Sequence, residues 1–526
     1  MTTSAPIGHL WRLAGHDGIG PHPDNPIIGV QSATGGELTT TAESPSAIPP
    51  QASPESDQAF HVEQHGIDYI PDSERWAKPR DLFGMWAGAS VQIEYFVYGA
   101  VLMTFGFTFA QAVILIVIGN LSYLLLGLCS LQGPDSGTTV FGTSRAAYGT
   151  RGSRLIALFN WLTQIGFETE GLILIVGAAL VLGDKAGFDP GTPFKVVIIL
   201  VAVAFQAVLP FLGHATMIKV LRYLIVPFIV MFAILGGLVA GHLDLTVKTG
   251  ANWQTFMVGL AFTIALSGLG WTENGNDYSR YLPRNSSKKA IVGWVFLGTA
   301  VPEILVMILG AMVGTYLTGL GSDPIPFTAF IHGGAIPGSF VSVFLAFSVV
   351  QIFAVNSLDL YSSGVTLQAL GLKVKRYQAV LIDTVICCGI TIYAIFDSSF
   401  STLLEDFVDV VICWIAPWCA IFLVDWALRR FRYVPKELQK TDRSSIYWGT
   451  GGIHWPGIIA QALGSVAAVL ALSTTFYSSQ ITMATGGADF SIFMGLGVGG
   501  LAYLLIAGPG VRRQAKQHTA LLDQAG

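Results

Sequence analysis

Residues 86–99 read WAGASVQIEYFVYG, a run of small and polar residues inside an apolar segment long enough to cross a membrane. Residues 266–276 read LSGLGWTENGN and interrupt a second apolar segment in the same way. Glycines and polar side chains at mid-membrane depth are typical of broken transmembrane helices, whose freed backbone groups line a binding site. The alternative is close packing of small residues between unbroken helices. We favour two broken helices.

The composition indicates a membrane protein. Charged residues make up 12% of the 526 residues and hydrophobic residues 52%, whereas a soluble domain has about 25% charged residues. From residue 82 onward, apolar segments of about 20 residues alternate with short polar gaps, as transmembrane helices do. We predict an all-α polytopic membrane protein embedded in the lipid bilayer. Its roughly twelve transmembrane helices lie near 82–105, 108–131, 153–182, 194–213, 216–240, 253–275, 289–317, 340–368, 377–396, 401–424, 453–475 and 489–508.

The ends of the chain differ from this transmembrane domain, which we place at 71–510. Residues 1–70 are predicted to be a disordered cytoplasmic tail, because they are rich in Pro, Ser, Thr, Gly and Ala and lack the apolar core of a secretory signal. Residues 511–526 would form a cytoplasmic C-terminal tail. Lys and Arg concentrate in the gaps that are cytoplasmic if the N-terminus is cytoplasmic. We therefore expect a multi-pass plasma-membrane protein with both termini in the cytoplasm.

The two interruptions lie five helices apart. They occupy corresponding positions in two five-helix halves, about 82–240 and 253–424, which two further helices at about 453–508 follow. Such a pair of interrupted helices is the best sequence indication of a secondary transporter. The chain has no GxxxxGK[ST] loop for ATP and no HExxH or GxSxG motif, so we expect neither a pump nor an enzyme. No pattern indicates a cofactor, a metal centre or nucleic-acid binding.

The third helix carries a polar face that suits a nucleobase. At 3.6 residues per turn this face holds Asn160, Gln164, Phe167, Glu168 and Gly171. Gln164 can both donate and accept hydrogen bonds, as the mixed edge of a nucleobase requires. Phe167 or Trp161 could stack on the face of such a ring. The alternatives are an interhelical hydrogen bond for Gln164 and ordinary packing for the aromatic rings. Glu170 points off this face and is read as structural.

Ionisable groups within the membrane are the second kind of candidate. A charge at the bilayer centre costs about 2.5–3.5 kcal/mol, so it usually faces a cavity or a partner. A buried carboxyl group can bind a cation or carry a proton. The candidates for cation coupling are Asp359, Glu168, Glu94 and Glu273, and the alternative for each is a hydrogen-bonded helix contact. The remaining substrate-binding candidates are Asn160, Asn356, Ser90, Ser267, Gly268 and Trp271.

Several motifs of the chain resemble those of the nucleobase–cation symporters, in the branch of the purine–cytosine permeases. Residues 276–283 read NDYSRYLP, which is similar to that branch's ADYSRYLP signature. Residues 133–137 (GPDSG) and 144–149 (SRAAYG) resemble its GPxxG…SRxxFG loop, and residues 62–71 (VEQHGIDYIP) resemble its VExRGIxxIP segment. The resemblance extends from about residue 62 to about residue 450.

The resemblance implies the leucine-transporter architecture, an inverted repeat of five plus five helices with two added helices. It implies a substrate bound between helices 1, 3, 6 and 8. Gln164 falls on the family's substrate-binding glutamine, and Phe167 falls on an aromatic residue that stacks on the base. Trp271 matches a frequent tryptophan of this branch, and Asn356 and Asp359 match its helix 8 asparagines, the latter with a substitution.

One departure from the family bears on coupling. Sodium-coupled members carry a Ser/Thr pair where this chain has Val350 and Gln351. We therefore predict a secondary active transporter that imports a nucleobase or related planar N-heterocycle by symport with a cation, most simply a proton. The alternatives are sodium coupling and another solute, such as a hydantoin or allantoin, a vitamin or a cationic amine. A ligand-binding receptor or a channel fits the sequence less well.

Overall fold

The structure is a computed structural model. It describes residues 69–523 apart from 190, 209–213, 244–249, 332–333, 335, 373–375, 475–476 and 478. The predicted N-terminal tail, except for its last two residues, lies outside the described residues. So does the first part of the 62–71 motif.

The described chain is almost entirely helical, which confirms the predicted class. In the first half, α1 has two parts, α1a (Asp81–Ser90) and α1b (Ile93–Thr104), and α2 consists of Phe109–Asn120 and Tyr123–Ser130. They are followed by α3 (Gly152–Lys185), α4 (Thr192–Val208) and α5 (His214–Val239). In the second half, α6 starts as Trp253–Ile264 and ends as Gly275–Ser279, and α7 (Lys288–Tyr316), α8 (Gly338–Ala369), α9 (Arg376–Asp397) and α10 (Phe400–Leu428) follow. They are followed by α11 (Trp455–Val469), α12 (Ser491–Ile506) and a further helix, Gly508–Asp523.

Helices occupy all twelve predicted positions, but their lengths do not establish twelve membrane spans. Among the described residues, eight helices are long and apolar enough to cross a membrane, and α12 together with the helix bent by 60° after it adds a ninth. The segments Ile93–Thr104, Thr192–Ala207 and Trp455–Val469 are apolar but shorter. Large apolar side chains such as Leu305 and Val385 are exposed on the outer surface, as expected where a protein meets lipid.

The first interruption is a true break in α1. The chain leaves helical geometry at Val91 (φ −86°, ψ 76°) and is fully extended at Gln92 (φ −140°, ψ 160°). The side chain of Gln351 on α8 reaches this break. Its amide oxygen accepts from the Ile93 N–H at 3.2 Å, and its amide nitrogen donates to the Val91 carbonyl. Two backbone groups that the break would leave without partners are thus satisfied.

The second interruption lies in α6. Ser267 has non-helical angles (φ −97°, ψ −125°), and the segment Gly270–Asn274 winds as a 3₁₀-helix. Gly268 approaches α2 so closely that an added Cβ would lie 2.1 Å from the backbone nitrogen of Tyr123. Its own N–H donates to the Ser122 hydroxyl at 3.1 Å. Only glycine fits this close approach of the broken segment.

Helix pairs in close contact surround the breaks. α1b and α7 meet backbone to backbone, because a Cβ on Gly310 would lie 1.8 Å from the Phe96 carbonyl oxygen and one on Gly99 would lie 2.0 Å from the Met307 carbonyl oxygen. α8 packs along α3, where Gly171 makes room for the side chain of Asn356. Small residues therefore permit the close approach that packing within a membrane requires.

Candidate substrate site

A small cavity lies where the two breaks face α3 and α8. It has a volume of about 20 Å³, which is room for a single water molecule. Its lining consists of Gln92, Glu94, Tyr95 and Tyr98 from α1, Gln164 and Phe167 from α3, Leu266, Gly270, Trp271, Glu273 and Asn274 from α6, and Val355 and Asp359 from α8. Ligand pockets usually have volumes of about 300–1,000 Å³, so these side chains must move apart before a heterocycle can enter.

The cavity brings together six of the residues singled out in the sequence, namely Gln164, Phe167, Trp271, Glu94, Glu273 and Asp359. The Gln164 amide nitrogen donates to a carboxylate oxygen of Glu273 at 2.6 Å. The Asn160 amide lies between Glu273 and Thr366. In the orientation that satisfies both neighbours, Asn160 donates to Glu273 and accepts from the Thr366 hydroxyl at 3.1 Å. Three of the predicted polar groups therefore form one cluster.

The aromatic rings of the cavity are held in place by other rings and by hydroxyl groups. Trp271 donates its indole N–H to the Tyr95 hydroxyl at 2.6 Å. Its ring packs edge-on against that of Trp86, with the ring centroids 5.6 Å apart. The ring of Phe167 packs edge-on against that of Phe407, with the ring centroids 5.0 Å apart. Fixed rings of this kind can stack on a flat ligand with little loss of side-chain entropy.

Other predicted residues lie away from the cavity lining. Trp161 donates to a carboxylate oxygen of Asp383 on α9 at 2.9 Å, and it faces a separate apolar cavity of about 470 Å³ between α3, α9 and α10. Asn356 donates to the Glu168 backbone carbonyl at 3.0 Å and to Gln206 on α4 at 3.1 Å. The roles of Trp161 and Asn356 in substrate binding remain predictions that this arrangement does not favour.

The remaining candidates are buried beside the cavity and do not line it. The Glu168 carboxylate accepts from the Cys387 thiol at 3.5 Å on α9. Ser267 uses its hydroxyl to bind Glu303, and Gly268 packs on α2. Ser90 is buried at the end of α1a. Ser90, Ser267 and Gly268 therefore shape the two breaks, and direct substrate contact for them stays a prediction.

Carboxyl groups gather around the cavity without basic partners. Asp359 lies within electrostatic range of Glu94, Glu168, Glu170 and Glu273. The described residues that line the cavity include no Lys, Arg or His. Because a buried carboxylate without a compensating charge is very unfavourable, a proton or a cationic group would stabilise this cluster.

Three important residues were missed by the sequence reasoning. Glu170 faces Glu94 and Tyr98, although its helical position had suggested a structural role. Gln351 holds the α1 break together, and Glu303 in α7 binds the α6 break. A signal existed for Glu170 and Glu303, since each is a carboxyl group within a predicted membrane span.

The broken helices, the central cavity and the lining drawn from both halves define an α-helical membrane transporter of the leucine-transporter type. A family model described as a permease for cytosine/purines, uracil, thiamine and allantoin matches residues 69–495. The chain belongs to this family of permeases, whose members are transporters and not enzymes. The resemblance seen in the motifs is thereby confirmed.

Individual relatives agree with this assignment. The chain is 28% identical to a putative purine-cytosine permease of Bacillus subtilis, over 86% of this chain and 98% of that protein. It is 26% identical to a purine-cytosine permease of Emericella nidulans, over 85% and 88% of the two chains. The structure of Mhp1, a nucleobase-cation-symport-1 family transporter in a closed conformation with bromovinylhydantoin bound, matches with a TM-score of 0.67 at 18% identity. That match covers 86% of this chain and 96% of Mhp1. The match to Mhp1 supports the leucine-transporter type of fold.

Proposed function

We propose that this protein imports a nucleobase or a related planar N-heterocycle across the plasma membrane, in symport with a proton and by alternating access. Both termini would lie in the cytoplasm. The observation that carries the proposal is the cavity at the two helix breaks, where an amide, carboxyl groups and fixed aromatic rings converge. Membership of the permease family supports the same substrate class.

The chemistry of the cavity fits a flat ring with a mixed polar edge. The side chains of Trp271 and Phe167 would stack on the two faces of the substrate ring or flank that ring. The Gln164 amide oxygen is buried and has no hydrogen-bond partner among the described residues, and the Gln164 amide nitrogen donates to Glu273. A heterocycle that donates to both Gln164 and Glu273 would satisfy that oxygen and replace the internal bond.

The break in α1 supports a proton as the coupling ion. A sodium ion at a helix break needs free backbone carbonyls. Here the Gln351 amide already donates to the Val91 carbonyl and accepts from the Ile93 N–H. The carboxyl groups around Asp359 offer acceptors for a proton instead.

A second candidate function follows from the same carboxyl cluster. Since no basic residue among the described ones lines the cavity, a cationic N-heterocycle would also neutralise it. The thiamine named in the family's description is a substrate of this kind. Uptake of the cation would then need no coupling proton.

Uptake into proteoliposomes tests the proposal. Labelled cytosine, purines, allantoin and cationic heterocycles would be supplied with an inward proton gradient or an inward sodium gradient. We expect Gln164→Ala to weaken apparent affinity about two- to tenfold, because it removes the hydrogen bond between the substrate and the Gln164 amide oxygen, worth about 0.5–1.5 kcal/mol. Leu162→Ala is the control, since Leu162 lies on the same helix and is 51% exposed. Unchanged kinetics in Gln164→Ala, or no uptake of any heterocycle by folded protein, would contradict the proposal.

A further inference from the structure

A buried carboxyl group in α7 binds the broken segment of α6. Glu303 follows Pro302 near the middle of α7 and is completely buried. One of its carboxylate oxygens accepts from the Ser267 hydroxyl at the α6 break. The other accepts from the Tyr123 hydroxyl on α2. Glu303 therefore joins three helices at the point where α6 loses its regular geometry.

A chain of hydrogen bonds connects this carboxyl group with the substrate cavity. The Tyr123 hydroxyl lies 3.3 Å from the Tyr95 hydroxyl. The Tyr95 hydroxyl in turn accepts from the indole N–H of Trp271 at 2.6 Å. Since Tyr95 and Trp271 line the cavity, three successive contacts lead from the cavity wall to Glu303. We call these four residues the Glu303 chain.

The surroundings of Glu303 contain hydroxyl groups but no charge. In the described part of the molecule, the groups that act on its carboxyl are Ser267, Tyr123 and Tyr95. The titratable groups that face it from the helices packed on α7 are therefore the two tyrosines, Tyr95 from α1b and Tyr123 from α2. Glu94 and Glu303 both lie near the Tyr95 hydroxyl. A buried charge with no cation beside it is readily neutralised by a proton.

Protonation would reverse the direction of hydrogen bonding at the α6 break. An ionised carboxylate only accepts, whereas a protonated carboxyl also donates one hydrogen bond. Ser267 or Tyr123 would then have to accept where it now donates. The proton and its charge thus change the bonding of the broken segment and of the hydroxyl that leads to Trp271.

We propose that Glu303 is a proton-binding site that links protonation to the α6 break and, through Tyr123 and Tyr95, to the substrate cavity. This inference rests on the proposed function, because it assumes symport with a proton. It assigns that proton to a residue outside the cavity. It differs from a purely structural role, in which the carboxyl would only hold the helices together.

The test uses labelled cytosine, or whichever of the other heterocycles named above the parent takes up, and measures its affinity as a function of pH in purified parent protein, Glu303→Gln and Asp383→Asn. Asp383 is the matched control, because it is also a buried carboxyl that accepts from a hydroxyl (Ser363, 2.6 Å) and from an indole (Trp161, 2.9 Å). One linked proton changes the dissociation constant by up to about tenfold per pH unit. We expect the same pH dependence in the parent and in Asp383→Asn, and we expect Glu303→Gln to lose the part of it that one proton contributes.

Uptake separates the two proposals. A parent protein that accumulates a heterocycle, together with a Glu303→Gln variant whose affinity keeps the parental pH dependence, would overturn the assignment of Glu303 and leave the proposed function standing. A parent that takes up no heterocycle would overturn both. If Glu303→Gln does not fold, Tyr123→Phe serves instead. It keeps the carboxyl and its bond to Ser267 but interrupts the Glu303 chain, so its affinity should depend less on pH than that of the parent, and parental behaviour would count against the inference.

Discussion

Replacing Gln351 by leucine should loosen the break in α1. The Gln351 side chain is buried, and it bonds the backbone on both sides of the break, the Val91 carbonyl and the Ile93 N–H. Leucine has a similar volume but no polar atom, so the substitution removes the two bonds and leaves the packing nearly unchanged.

The size of the effect follows from the two backbone groups that lose their partner. A buried donor or acceptor without a partner costs about 1–3 kcal/mol. Two such groups give a destabilisation of about 2–6 kcal/mol for the closed arrangement of α1a, α1b and α8. Water that reaches the break would bring the loss towards the lower limit.

Thermal unfolding in detergent measures this loss, and hydrogen exchange at the Ile93 amide locates it. Val350→Ala is the control, because Val350 is the neighbouring residue and is 51% exposed. We expect a lower melting temperature and faster Ile93 exchange in Gln351→Leu, with little change in the control. Equal melting temperatures and equal Ile93 exchange in the variant and the parent would refute the reasoning.

Three further expectations concern stability, and thermal unfolding in detergent checks each of them. Gly310→Ala should destabilise by about 1–3 kcal/mol or more through overpacking, since its Cβ would collide with the backbone of α1b, whereas Gly293 on the same helix has open space around it, so Gly293→Ala should not destabilise. Asp425→Ala should cost about 3–5 kcal/mol, because it leaves a buried arginine unpaired; the exposed Asp442→Ala should melt like the parent. Burial lowers the pKa of His454, so the unfolded state binds its proton more tightly, and stability from this residue should fall as the pH drops below about 6.5. Between pH 7.5 and pH 5.5, His454→Gln should lose less stability than the parent. An identical loss of stability in both proteins would contradict the role of His454 in this pH dependence.

The positions of the helices could be predicted because the signal is local. A run of apolar residues of membrane length indicates a helix wherever its partners lie. The predicted segment 340–368 corresponds to Gly338–Ala369, and 153–182 corresponds to Gly152–Lys185. The breaks were also local, because glycine and polar side chains interrupt the apolar runs themselves.

The candidate site could be predicted only in part, because helical periodicity gives relative directions and not neighbours. Gln164 and Phe167 do face the cavity. Glu168, which the same period places beside them, points instead to Cys387 on α9. α3 packs against α4, α8, α9 and α10, so several of its directions are buried, and the face with Gln164 and Phe167 is the one that leads to the cavity.

Long-range contacts account for what was missed. Gln351 and the α1 break are 260 residues apart in the chain, and Glu303 and Tyr123 are 180 residues apart. Neither contact leaves a repeating pattern in the sequence. A polar residue inside a span signals that a partner exists, but it does not say which helix supplies the partner.

The close backbone contacts of the helix pairs have a mechanical consequence. Between α1b and α7 no layer of side chains separates the two backbones at Gly310 and Gly99, so neither helix can slide or rotate without the other. α3 and α8 are also in close contact at Gly171, where the Asn356 side chain fills the space between them. Widening of the central space would thus occur between these two pairs, and part of its energetic cost would be the loss of side-chain bonds such as those that join Gln351 on α8 to the break in α1.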